Sequence, residues 1–442
     1  MKILLMASSA REHAVAEALV KSRSKPEIIA ICSTKNPGIA NIATEMHVQS
    51  IMDFPKILEI AKQSKPDFAF IGPDDPIGGG LVDALETIDV PSVAPKKNLA
   101  RIESSKGFAR NLLQKYDIHA SPRFKIFDSA ERKELSIFME QESRGNFVVK
   151  YDALKGGKGV KVSGEHLQTI EEGIEYAIAC IEECGQVVIE EKLIGVEFSL
   201  MSFVSGTKVV DMPAIQDHKR AFVGDTGPNT GGMGTYSDAD HSLPFLQKKD
   251  LDRAKEINRL TAEALERECG EPFKGILYGG FMAVKDGVRL IEFNARFGDP
   301  EVLNVLPLLE TDFVDICQTI IDENLSEDLV RFAHKATVCK YIAPEGYPMN
   351  KDQRGQTVSL PVIPSNARLY YGDVSRMDDG KLLLGGSRTA GIVGIEDTIA
   401  DAEKIAQSLC EKVKGPVRFR RDIGTEKFVK KRVEFMRSLR TY

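Results

Sequence analysis

A glycine-rich segment with a central lysine lies between two strand-like runs of the chain. Within VVKYDALKGGKGVKV, residues 148–162, glycines surround Lys158. Glycine lets the backbone fold closely over a phosphate and present N–H groups to it, so Lys158 would meet the β and γ phosphates of a nucleotide and Lys150 the α phosphate. The Walker A pattern fails twice, because Asp152 replaces its first glycine and Gly159 follows the lysine. The segment predicts another type of phosphate-binding loop, with an ordinary glycine-rich hairpin as the alternative.

Polar and apolar side chains alternate in LIEFNARFGDPE, residues 290–301. Residues two apart on a strand face the same side, so Glu292, Asn294 and Arg296 should share one face. Carboxylate and amide oxygens suit Mg²⁺, and an arginine beside them can neutralise a transferring phosphoryl group or an acyl phosphate. A solvated polar face on an edge strand is the alternative. The Phe-Gly-Asp-Pro break that follows favours a site loop.

The segment IEEKLIGVEFS, residues 189–199, reads as a strand that ends in a hinge and restarts. The backbone around Glu191 and Leu193 is suited to pair with an adenine edge, and Glu197 to accept hydrogen bonds from ribose hydroxyls. Surface carboxylates on a hairpin are the alternative.

A second glycine-rich segment, DTGPNTGGMG at 225–234, follows QDHKR at 216–220. Such a loop can close over an anionic intermediate and shield it from water. A flexible surface loop is the alternative, but Pro228, Asn229 and Met233 interrupt the glycines, unlike in a serine-rich linker.

Small residues lead from the first strand-like run into a helix that carries Arg11, Glu12 and His13. Ser8 and Ser9 lie at this junction and should leave helix N–H groups free for a phosphate. The dinucleotide fingerprint G-x-G-x-x-G is absent because no glycine precedes Gly38, which argues against NAD. For His13, a core or capping role is the alternative to a ligand role.

The composition indicates a globular protein of several domains. The chain has 442 residues, 42% of them apolar and 28% charged, and a net charge of −6. This charge argues against a general nucleic-acid binder. The first apolar run is too short for a signal peptide, and no run reaches the roughly 20 residues that span a bilayer. The seven cysteines form no C-x-x-C pair, so we expect neither zinc nor disulfides, and a reducing, cytoplasmic setting.

Strand and helix patterns divide the chain into three predicted domains. Residues 1–103 alternate strands (2–7, 28–32, 68–72) with helices (about 12–23, 54–63, 78–87), which predicts a doubly wound parallel sheet with ligands at the carboxyl ends of its strands. Residues 104–330 are rich in strands, with a mobile subdomain at about 121–191. Residues 331–442 form a small mixed β/α domain, and the basic tail that includes Arg418, Arg420, Arg421 and Arg432 is predicted to be a solvated terminal helix.

In this order, the segments resemble the ATP-grasp enzymes, most closely the phosphoribosylamine–glycine ligase family. The residues that carry the resemblance are AREH (10–13), SSK (104–106), VVKYDALKGGKGV (148–160), VIEEKLIGVEFS (188–199), QDHKR (216–220), DTGPNTGGMG (225–234), IEFNARFGDPE (291–301) and RRDIG (420–424). The resemblance covers nearly the whole chain and implies an α/β and α+β multidomain protein whose central domain has the ATP-grasp fold.

The resemblance also implies a reaction in purine synthesis. Glycine would be phosphorylated by ATP to glycyl phosphate, which 5-phosphoribosylamine would attack. The implied ATP-binding residues are Lys106, Lys150, Lys158, Glu190, Glu191, Leu193 and Glu197. The implied substrate-binding residues are Ser8, Ser9, Arg11, Glu12, His13, Asp74, Asp217, Lys219, Asp225, Pro228, Asn229, Thr230, Gly231, Gly232 and Arg296. Glu292 and Asn294 would hold Mg²⁺ or Mn²⁺, and Arg296 and Lys158 would act in catalysis. The partners would be small molecules only, and the assembly a monomer or homodimer.

Two departures from the family pattern fall in the implied phosphoribosylamine site. Ala-Ser-Ser-Ala at 7–10 replaces a glycine-rich loop, and Asp74 replaces a glutamate. The other interpretations are a related ATP-grasp ligase or carboxylase, which the DTGPNTGGMG segment argues against, and a non-catalytic nucleotide-binding protein, which the pair Glu292 and Asn294 argues against.

Overall fold

The first part of the chain forms a parallel sheet with helices on its faces. The computed structural model describes residues 1–154 and 159–441. The sheet has the strand order β3-β2-β1-β4-β5. Its strands are β1 (Lys2–Ala7), β2 (Glu27–Cys32), β3 (Glu45–Val48), β4 (Phe68–Ile71) and β5 (Ser92–Val93). The helices are α1 (Ala10–Val20), α2 (Pro37–Ile42), α3 (Phe54–Ser64), α4 (Asp74–Gly79), α5 (Leu81–Glu86) and α6 (Lys97–Ser104). The doubly wound sheet predicted from the sequence is confirmed.

The central position of β1 explains its composition. Its residues from Ile3 to Ala7 are fully buried, because neighbouring strands flank it and helices cover both sheet faces. The helix predicted at about 78–87 is instead two short helices, α4 and α5. Gly80 lies between them with φ of +93°, a left-handed conformation that ends a helix.

The next part of the chain contributes a separate four-stranded sheet in the order β6-β9-β7-β8. Its strands are β6 (Phe124–Phe127), β7 (Phe147–Tyr151), β8 (Val160–Val162) and β9 (Val187–Glu191). The accompanying helices are α7 (Lys106–Lys115), α8 (Arg132–Ile137), which continues into one π-helical turn, and α9 (Ile170–Cys184). Strands β7 and β8 flank the first glycine-rich segment as predicted, but residues 155–158, including Lys158, lie outside the described residues.

A second four-stranded sheet, in the order β11-β10-β16-β17, lies opposite the sheet of β6–β9. The strands of this part are β10 (Val196–Ser205), β11 (Lys208–Asp211), β12 (Gln216–Asp217), β13 (Arg220–Phe222), β14 (Thr226–Asn229), β15 (Gly234–Ser237), β16 (Lys274–Val284) and β17 (Gly287–Asn294). The helices are α10 (Lys248–Cys269), α11 (Glu301–Val305) and α12 (Phe313–Ile321). The second glycine-rich segment is not a plain loop, because β13 and β14 pair as a hairpin.

The last part of the chain completes an antiparallel sheet in the order β12-β15-β18-β23-β20. Its strands are β18 (Ala336–Pro344), β19 (Thr357–Val358), β20 (Ala367–Tyr371), β21 (Val374–Arg376), β22 (Leu382–Leu384), β23 (Ala390–Glu396) and β24 (Val417–Arg418). The helices are α13 (Ile399–Cys410) and α14 (Glu426–Thr441). Since β12 and β15 belong to the preceding part of the chain, this sheet ties the two parts together.

One apolar core joins the parallel sheet, the sheet of β10, β11, β16 and β17 and the sheet that contains β18, whereas the sheet of β6–β9 has a core of its own. The shared core includes Leu5 of β1, Phe203 of β10, Ile276 of β16 and Tyr341 of β18, all at most 3% exposed. Close packing of this kind holds the sheet ends at fixed positions, which a site assembled from distant segments requires. Within the described residues, none of the helices combines the length and hydropathy of a membrane span.

Candidate active site

A cavity of about 510 Å³ lies where these sheets meet. It is lined by residues from both glycine-rich regions, both four-stranded sheets and α4. The predicted site residues among its lining are Asp74, Lys106, Lys150, Glu197, Asp217, Lys219, Asp225, Asn229, Thr230, Gly231, Glu292, Asn294 and Arg296. The predicted site residues outside the lining are Ser8, Ser9, Arg11, Glu12, His13, Glu190, Glu191, Leu193, Pro228 and Gly232. The structure thus brings together residues more than 200 positions apart in the chain.

Glu292 and Asn294 lie at the end of β17 and both line the cavity. Burial raises the pKa of Glu292, but the charges of Lys219, Lys106 and Lys150 together lower it by more. The net pKa of Glu292 is therefore below its usual range. The Glu292 carboxylate is therefore ionised at neutral pH. Among the residues that the structure describes, its nearest cation is Lys219, with Nζ 4.0 Å from Oε1.

Arg296 lies two residues after the end of β17 and connects this strand to α6. Its Nη2 lies 3.0 Å from Glu103 Oε1 on α6 and donates to Asn294 Oδ1 at 3.2 Å. The Glu103 carboxylate also accepts from the Ala295 N–H at 2.7 Å. Glu103 therefore fixes the turn that carries Arg296. No local pattern indicates this role of Glu103, because the residue lies in an ordinary helical segment.

Asp74 connects the parallel sheet to this cluster. Burial raises the pKa of its carboxylate, but Arg296 and Arg11 lower it to a net value below the usual range. The side chain is one methylene shorter than the family's glutamate, and the charges of two arginines still favour its ionised form.

A buried ion-pair network holds Lys150. Its Nζ lies 2.8 Å from Glu190 Oε2 and donates to the carbonyl oxygen of Ile291 at 2.7 Å. The other Glu190 oxygen lies 2.6 Å from Arg110 Nε. Both carboxylate oxygens of Glu190 thus hold cations, and the part of Glu190 in ATP binding stays a prediction. Arg110, on α7, was missed because its partners lie on β9 and β17.

The neighbouring Glu191 is also engaged. Its Oε1 accepts from the Arg123 N–H at 2.8 Å, and its own N–H donates to the Arg123 carbonyl at 2.9 Å. The Glu191 N–H is thus engaged within the protein, and the pairing of the backbone around Glu191 and Leu193 with an adenine edge stays a prediction. Leu193 follows β9, half-buried, in the connection to β10.

Lys106 is the first residue of α7, and its side chain lines the cavity. Within the described ranges it forms no hydrogen bond or ion pair, while it lowers the pKa of Glu292. Asp152, just before the undescribed segment, accepts from the Gly107 N–H at 2.9 Å. This bond fixes the start of α7 beside the first glycine-rich segment.

A side chain of α1 engages the N–H groups of the two residues that precede the helix, while the use of the helix's own first N–H groups by a phosphate stays a prediction. Glu12 is fully buried, and its Oε2 accepts from the N–H groups of Ser9 at 2.8 Å and Ser8 at 3.1 Å. This is a capping box, in which a glutamate in the first turn satisfies the donors that precede the helix. The added serines therefore complete the helix start, and Arg11 beside Glu12 is the residue that reaches toward Asp74.

His13 lies away from this cavity and lines a separate groove of about 1160 Å³ between α1 and the last part of the chain. Its Nδ1 accepts from the Tyr371 N–H at 3.0 Å. Burial lowers the pKa of His13 to about 3, so the ring is neutral. These contacts match the core or capping role that stood as the alternative.

The C-terminal tail anchors the second glycine-rich segment. Asp225 pairs with Arg420, whose Nη1 lies 2.9 Å from Oδ1, and with Arg432 of α14. Arg420 is fully buried. The prediction of a solvated basic tail is therefore wrong at these two residues, because their guanidinium groups neutralise a carboxylate beside the cavity.

A further arginine, Arg388, holds the end of the same segment. Its guanidinium donates to the carbonyl oxygens of Gly231 at 2.9 Å and Gly232 at 2.8 Å and pairs with Asp299 at 3.0 Å. The Arg388 guanidinium also lies over the aromatic ring of Tyr341, with Cζ 4.4 Å from the ring centre. Sequence reasoning missed Arg388, since nothing in GGSRTAG links it to a segment about 150 residues earlier.

The donor set fits a divalent cation that is bound mainly through phosphates. Among the residues described, no group of three or more His, Cys, Asp or Glu side chains is placed to hold a metal. Mg²⁺ in nucleotide enzymes commonly takes one or two protein oxygens and keeps water and phosphate oxygens for the rest. Glu292 and Asn294 offer such a pair on one cavity wall.

Three family models match the chain along most of its length. They are the phosphoribosylglycinamide synthetase N domain at residues 1–103, its ATP-grasp (A) domain at 104–302 and its C domain at 337–426. Curated relatives described as phosphoribosylamine–glycine ligase include one from Methanococcus vannielii, 45% identical over 99% of this chain and 100% of the relative. One from Methanosarcina barkeri is 44% identical, with both chains covered in full.

Solved structures with a similar fold include a member of the same family. The crystal structure of phosphoribosylamine–glycine ligase from Thermotoga maritima has a TM-score of 0.79 and 27% identity, covering 96% of this chain and 100% of that one. A biotin carboxylase–nucleotide complex from Campylobacter jejuni has a TM-score of 0.75 at 13% identity, covering 99% and 98%, and shows the shared fold only. The chain belongs to the phosphoribosylglycinamide synthetase family.

Proposed function

We propose that the protein uses ATP to join glycine to 5-phosphoribosylamine, giving glycinamide ribonucleotide, ADP and phosphate in purine biosynthesis. Family membership supports this activity, and one observation carries the chemistry. Lys106, Lys150 and Arg296 meet Glu292 and Asn294 around a single cavity. Cations that can hold phosphates thus face the oxygens that can hold a metal, as phosphoryl transfer to a carboxylate requires.

In the proposed reaction, an oxygen of the glycine carboxylate attacks the γ phosphorus of ATP, and ADP leaves. The nitrogen of phosphoribosylamine then attacks the carbonyl carbon of glycyl phosphate, and phosphate leaves as the amide forms. The side chains act by position and charge, because phosphoryl transfer needs little covalent help from the protein. Lys106 and Lys150 hold the triphosphate, and Arg296 neutralises the transferring group.

The cavity residues divide into three groups by substrate. Glu197 lies 3.8 Å from the Lys219 ammonium and would bind the ribose of ATP. Asp74, whose ionised form Arg296 and Arg11 favour, would contact phosphoribosylamine. Asn229, Thr230 and Gly231 would cover the intermediate and exclude water from it.

Glu292 and Asn294 would bind Mg²⁺ or Mn²⁺. The ion would neutralise charge on the ATP phosphates during transfer. The ionised state of Glu292 supports this role, since a carboxylate must be deprotonated to ligate a cation.

The activity is tested by measuring ADP release and product mass with purified protein. With ATP, Mg²⁺, glycine and phosphoribosylamine, we expect ADP and glycinamide ribonucleotide in equal amounts. Omitting either co-substrate should abolish the ligation product and sustained ADP release. Equal ADP release without the amine, or equal turnover with another amino acid in place of glycine, would contradict the assignment. It would favour a related ligase or carboxylase with other substrates.

We propose a cytoplasmic enzyme that acts on small molecules as a monomer or homodimer. The location follows from the metabolites it would use. Light scattering after size-exclusion chromatography gives the assembly, and cell fractionation gives the location.

A further inference from the structure

One arginine from the last part of the chain joins two segments of the cavity wall. Arg388 lies between β22 and β23. Its Nη1 donates to the carbonyl oxygens of Gly231 at 2.9 Å and Gly232 at 2.8 Å, and its Nη2 donates to Asp299 Oδ2 at 3.0 Å. Gly231 and Asp299 line the cavity, whereas Arg388 does not. Arg388 therefore acts on the cavity through the two segments that it holds.

The second glycine-rich segment needs such a clamp because of its composition. The successive glycines Gly231 and Gly232 have more backbone freedom than other residues, and Gly232 has a φ of +109°. The preceding Thr230 is fixed, because its N–H donates to the Lys219 carbonyl at 2.7 Å. In the part of the chain that the structure describes, the donor to both glycine carbonyls is Arg388. The guanidinium thus holds the part of the segment that is least able to hold itself.

The other side of the clamp is the turn that follows β17. Asp299 lies three residues after Arg296, the residue proposed to neutralise the transferring phosphoryl group. One oxygen of Asp299 accepts from Arg388, and the other accepts from the Tyr341 hydroxyl at 2.6 Å. The clamp thus fixes the glycine-rich segment relative to the turn that carries Arg296.

Little solvent reaches this clamp. The side chains of Arg388 and Asp299 are 13% and 12% exposed. A charge-assisted hydrogen bond is stronger where water is excluded, so these contacts should resist opening. Arg388 belongs to the last part of the chain, and both segments that it holds belong to the preceding part. The position of the glycine-rich segment therefore depends on how these two parts pack.

The proposed intermediate makes that position important. Glycyl phosphate is an acyl phosphate, and water can attack its carbonyl carbon in place of phosphoribosylamine. The bond from this carbon to the phosphate oxygen then breaks, and glycine, phosphate and one proton are formed. Each such event consumes one ATP without forming an amide, so the enzyme must exclude water until the amine attacks.

We propose that Arg388 is a positioning residue that couples ATP consumption to amide formation. It holds the glycine-rich segment over the acyl phosphate by fixing Gly231 and Gly232 against the turn that includes Asp299. The inference rests on the proposed function and deepens it, because it assigns the protection of the intermediate to a residue of the last domain.

The ratio of ADP to glycinamide ribonucleotide measures this coupling. The wild type should form the two products in equal amounts. In Arg388→Gln the ratio should rise to about 2 or more, because water reaches the intermediate. The excess ADP should require glycine, since glycine carries the phosphoryl group that water removes. A merely structural role would lower the amount of active enzyme and leave the two products equal.

Tyr341→Phe weakens the same clamp without removing its charge. This variant deletes the hydroxyl that donates to Asp299, so the ratio of ADP to ligation product should rise in the same direction by a smaller amount. It decides the test if Arg388→Gln does not fold.

Arg418→Gln is the matched control. The Arg418 guanidinium also comes from the last part of the chain, donates to the Ala221 carbonyl at 2.7 Å and lies over the ring of Phe222, but it is outside the cavity lining. Its two products should stay equal even if its melting temperature falls.

Equal amounts of ADP and ligation product in folded Arg388→Gln would overturn the proposal, as would equal amounts in Tyr341→Phe if Arg388→Gln does not fold. Excess ADP that forms without glycine would also overturn it, because water would then attack ATP itself. A wild type that forms no glycinamide ribonucleotide would instead refute the proposed function.

Discussion

Lys150 and Glu190 form a buried ion pair, with Nζ 2.8 Å from Oε2 and both side chains at most 5% exposed. The same Nζ donates to the carbonyl of Ile291, the residue before Glu292. One ammonium group thus links the sheet of β6–β9 to the strand that carries Glu292 and Asn294. The ion pair positions the phosphate side of the cavity against its metal side.

Replacing Glu190 should therefore weaken both stability and function. In Glu190→Gln, Lys150 and Arg110 lose the carboxylate between them, and we expect the free energy of unfolding to fall by about 3 kcal/mol or more. Chemical denaturation measures this loss. Glu191→Gln is the control, because Glu191 is more exposed and its ion pair with Arg123 spans 3.8 Å. Its unfolding free energy should fall by less than about 1 kcal/mol.

The same carboxylate predicts a pH dependence. Burial raises the pKa of Glu190, but Arg110 and Lys150 lower it to a net value below the usual range. The folded state therefore binds this proton less readily than the unfolded chain, whose glutamate pKa is about 4.3. The stabilisation is present above that pH and is lost as the pH falls through the lower folded value. As the pH falls through this acid range, the melting temperature of Glu190→Gln should therefore decrease less than that of the wild type.

Gly232 should be irreplaceable for a steric reason that Gly224 lacks. Both glycines have positive φ, +109° and +79°. A Cβ at Gly232 would lie 2.5 Å from Pro300 Cδ and 2.6 Å from Asp217 Oδ1, whereas none of the described atoms lies within 4 Å of one at Gly224. We expect Gly232→Ala to lower kcat/KM for glycine by about tenfold or more, and Gly224→Ala to show only the smaller cost of backbone strain. Similar activities for the two variants would place Gly232 outside the site.

The main strands were predictable because each is an apolar run flanked by turn residues. KILLMA became β1 at the predicted bounds, and the strand predicted to restart within residues 189–199 is β10. Gly80 interrupted a predicted helix because its left-handed backbone conformation outweighed the helical pattern around it. The hairpin of β13 and β14 was hidden because its composition resembles that of a loop.

The site was predictable where spacing within one segment fixed the geometry. Glu292 and Asn294 share the cavity because they are two apart on a strand. Arg110, Glu103 and Arg388 were missed because each acts through a partner far away in the chain, such as Ala295, which is 192 positions from Glu103. Such pairs depend on how the sheets pack, and no local pattern encodes that packing.

The anchor at Asp225 yields a prediction about the second glycine-rich segment. Burial raises the pKa of Asp225, but Arg432, His218 and Arg420 lower it to a net value below its usual range, so it is ionised. Asp225→Asn would leave the buried Arg420 with Asp422 as its one carboxylate partner among the described residues. We expect the melting temperature to fall by several degrees and proteolysis within 220–230 to become faster. Asp240→Asn, an exposed aspartate, is the control and should change neither.

Lys158 remains a prediction from the sequence alone, since it lies outside the described residues. We expect Lys158→Met to reduce kcat by at least about tenfold through lost stabilisation of the transferring phosphate, with the melting temperature unchanged. Lys161→Met is the control, because Lys161 Nζ lies 4.0 Å from the centre of the Tyr176 ring and outside the cavity lining. Wild-type turnover in Lys158→Met would remove this lysine from the phosphate site.

Glu292 should determine how tightly the enzyme holds its metal. In Glu292→Gln, a neutral amide replaces the ionised carboxylate, so we expect the Mg²⁺ concentration for half-maximal activity to rise about tenfold or more. Direct Mn²⁺ titration with a non-hydrolysable ATP analogue measures the affinity without turnover. Asp286→Asn is the control, since Asp286 lies on the turn between β16 and β17 and pairs with Arg289 at 3.0 Å. An unchanged Mn²⁺ affinity in Glu292→Gln would show that the metal is held elsewhere.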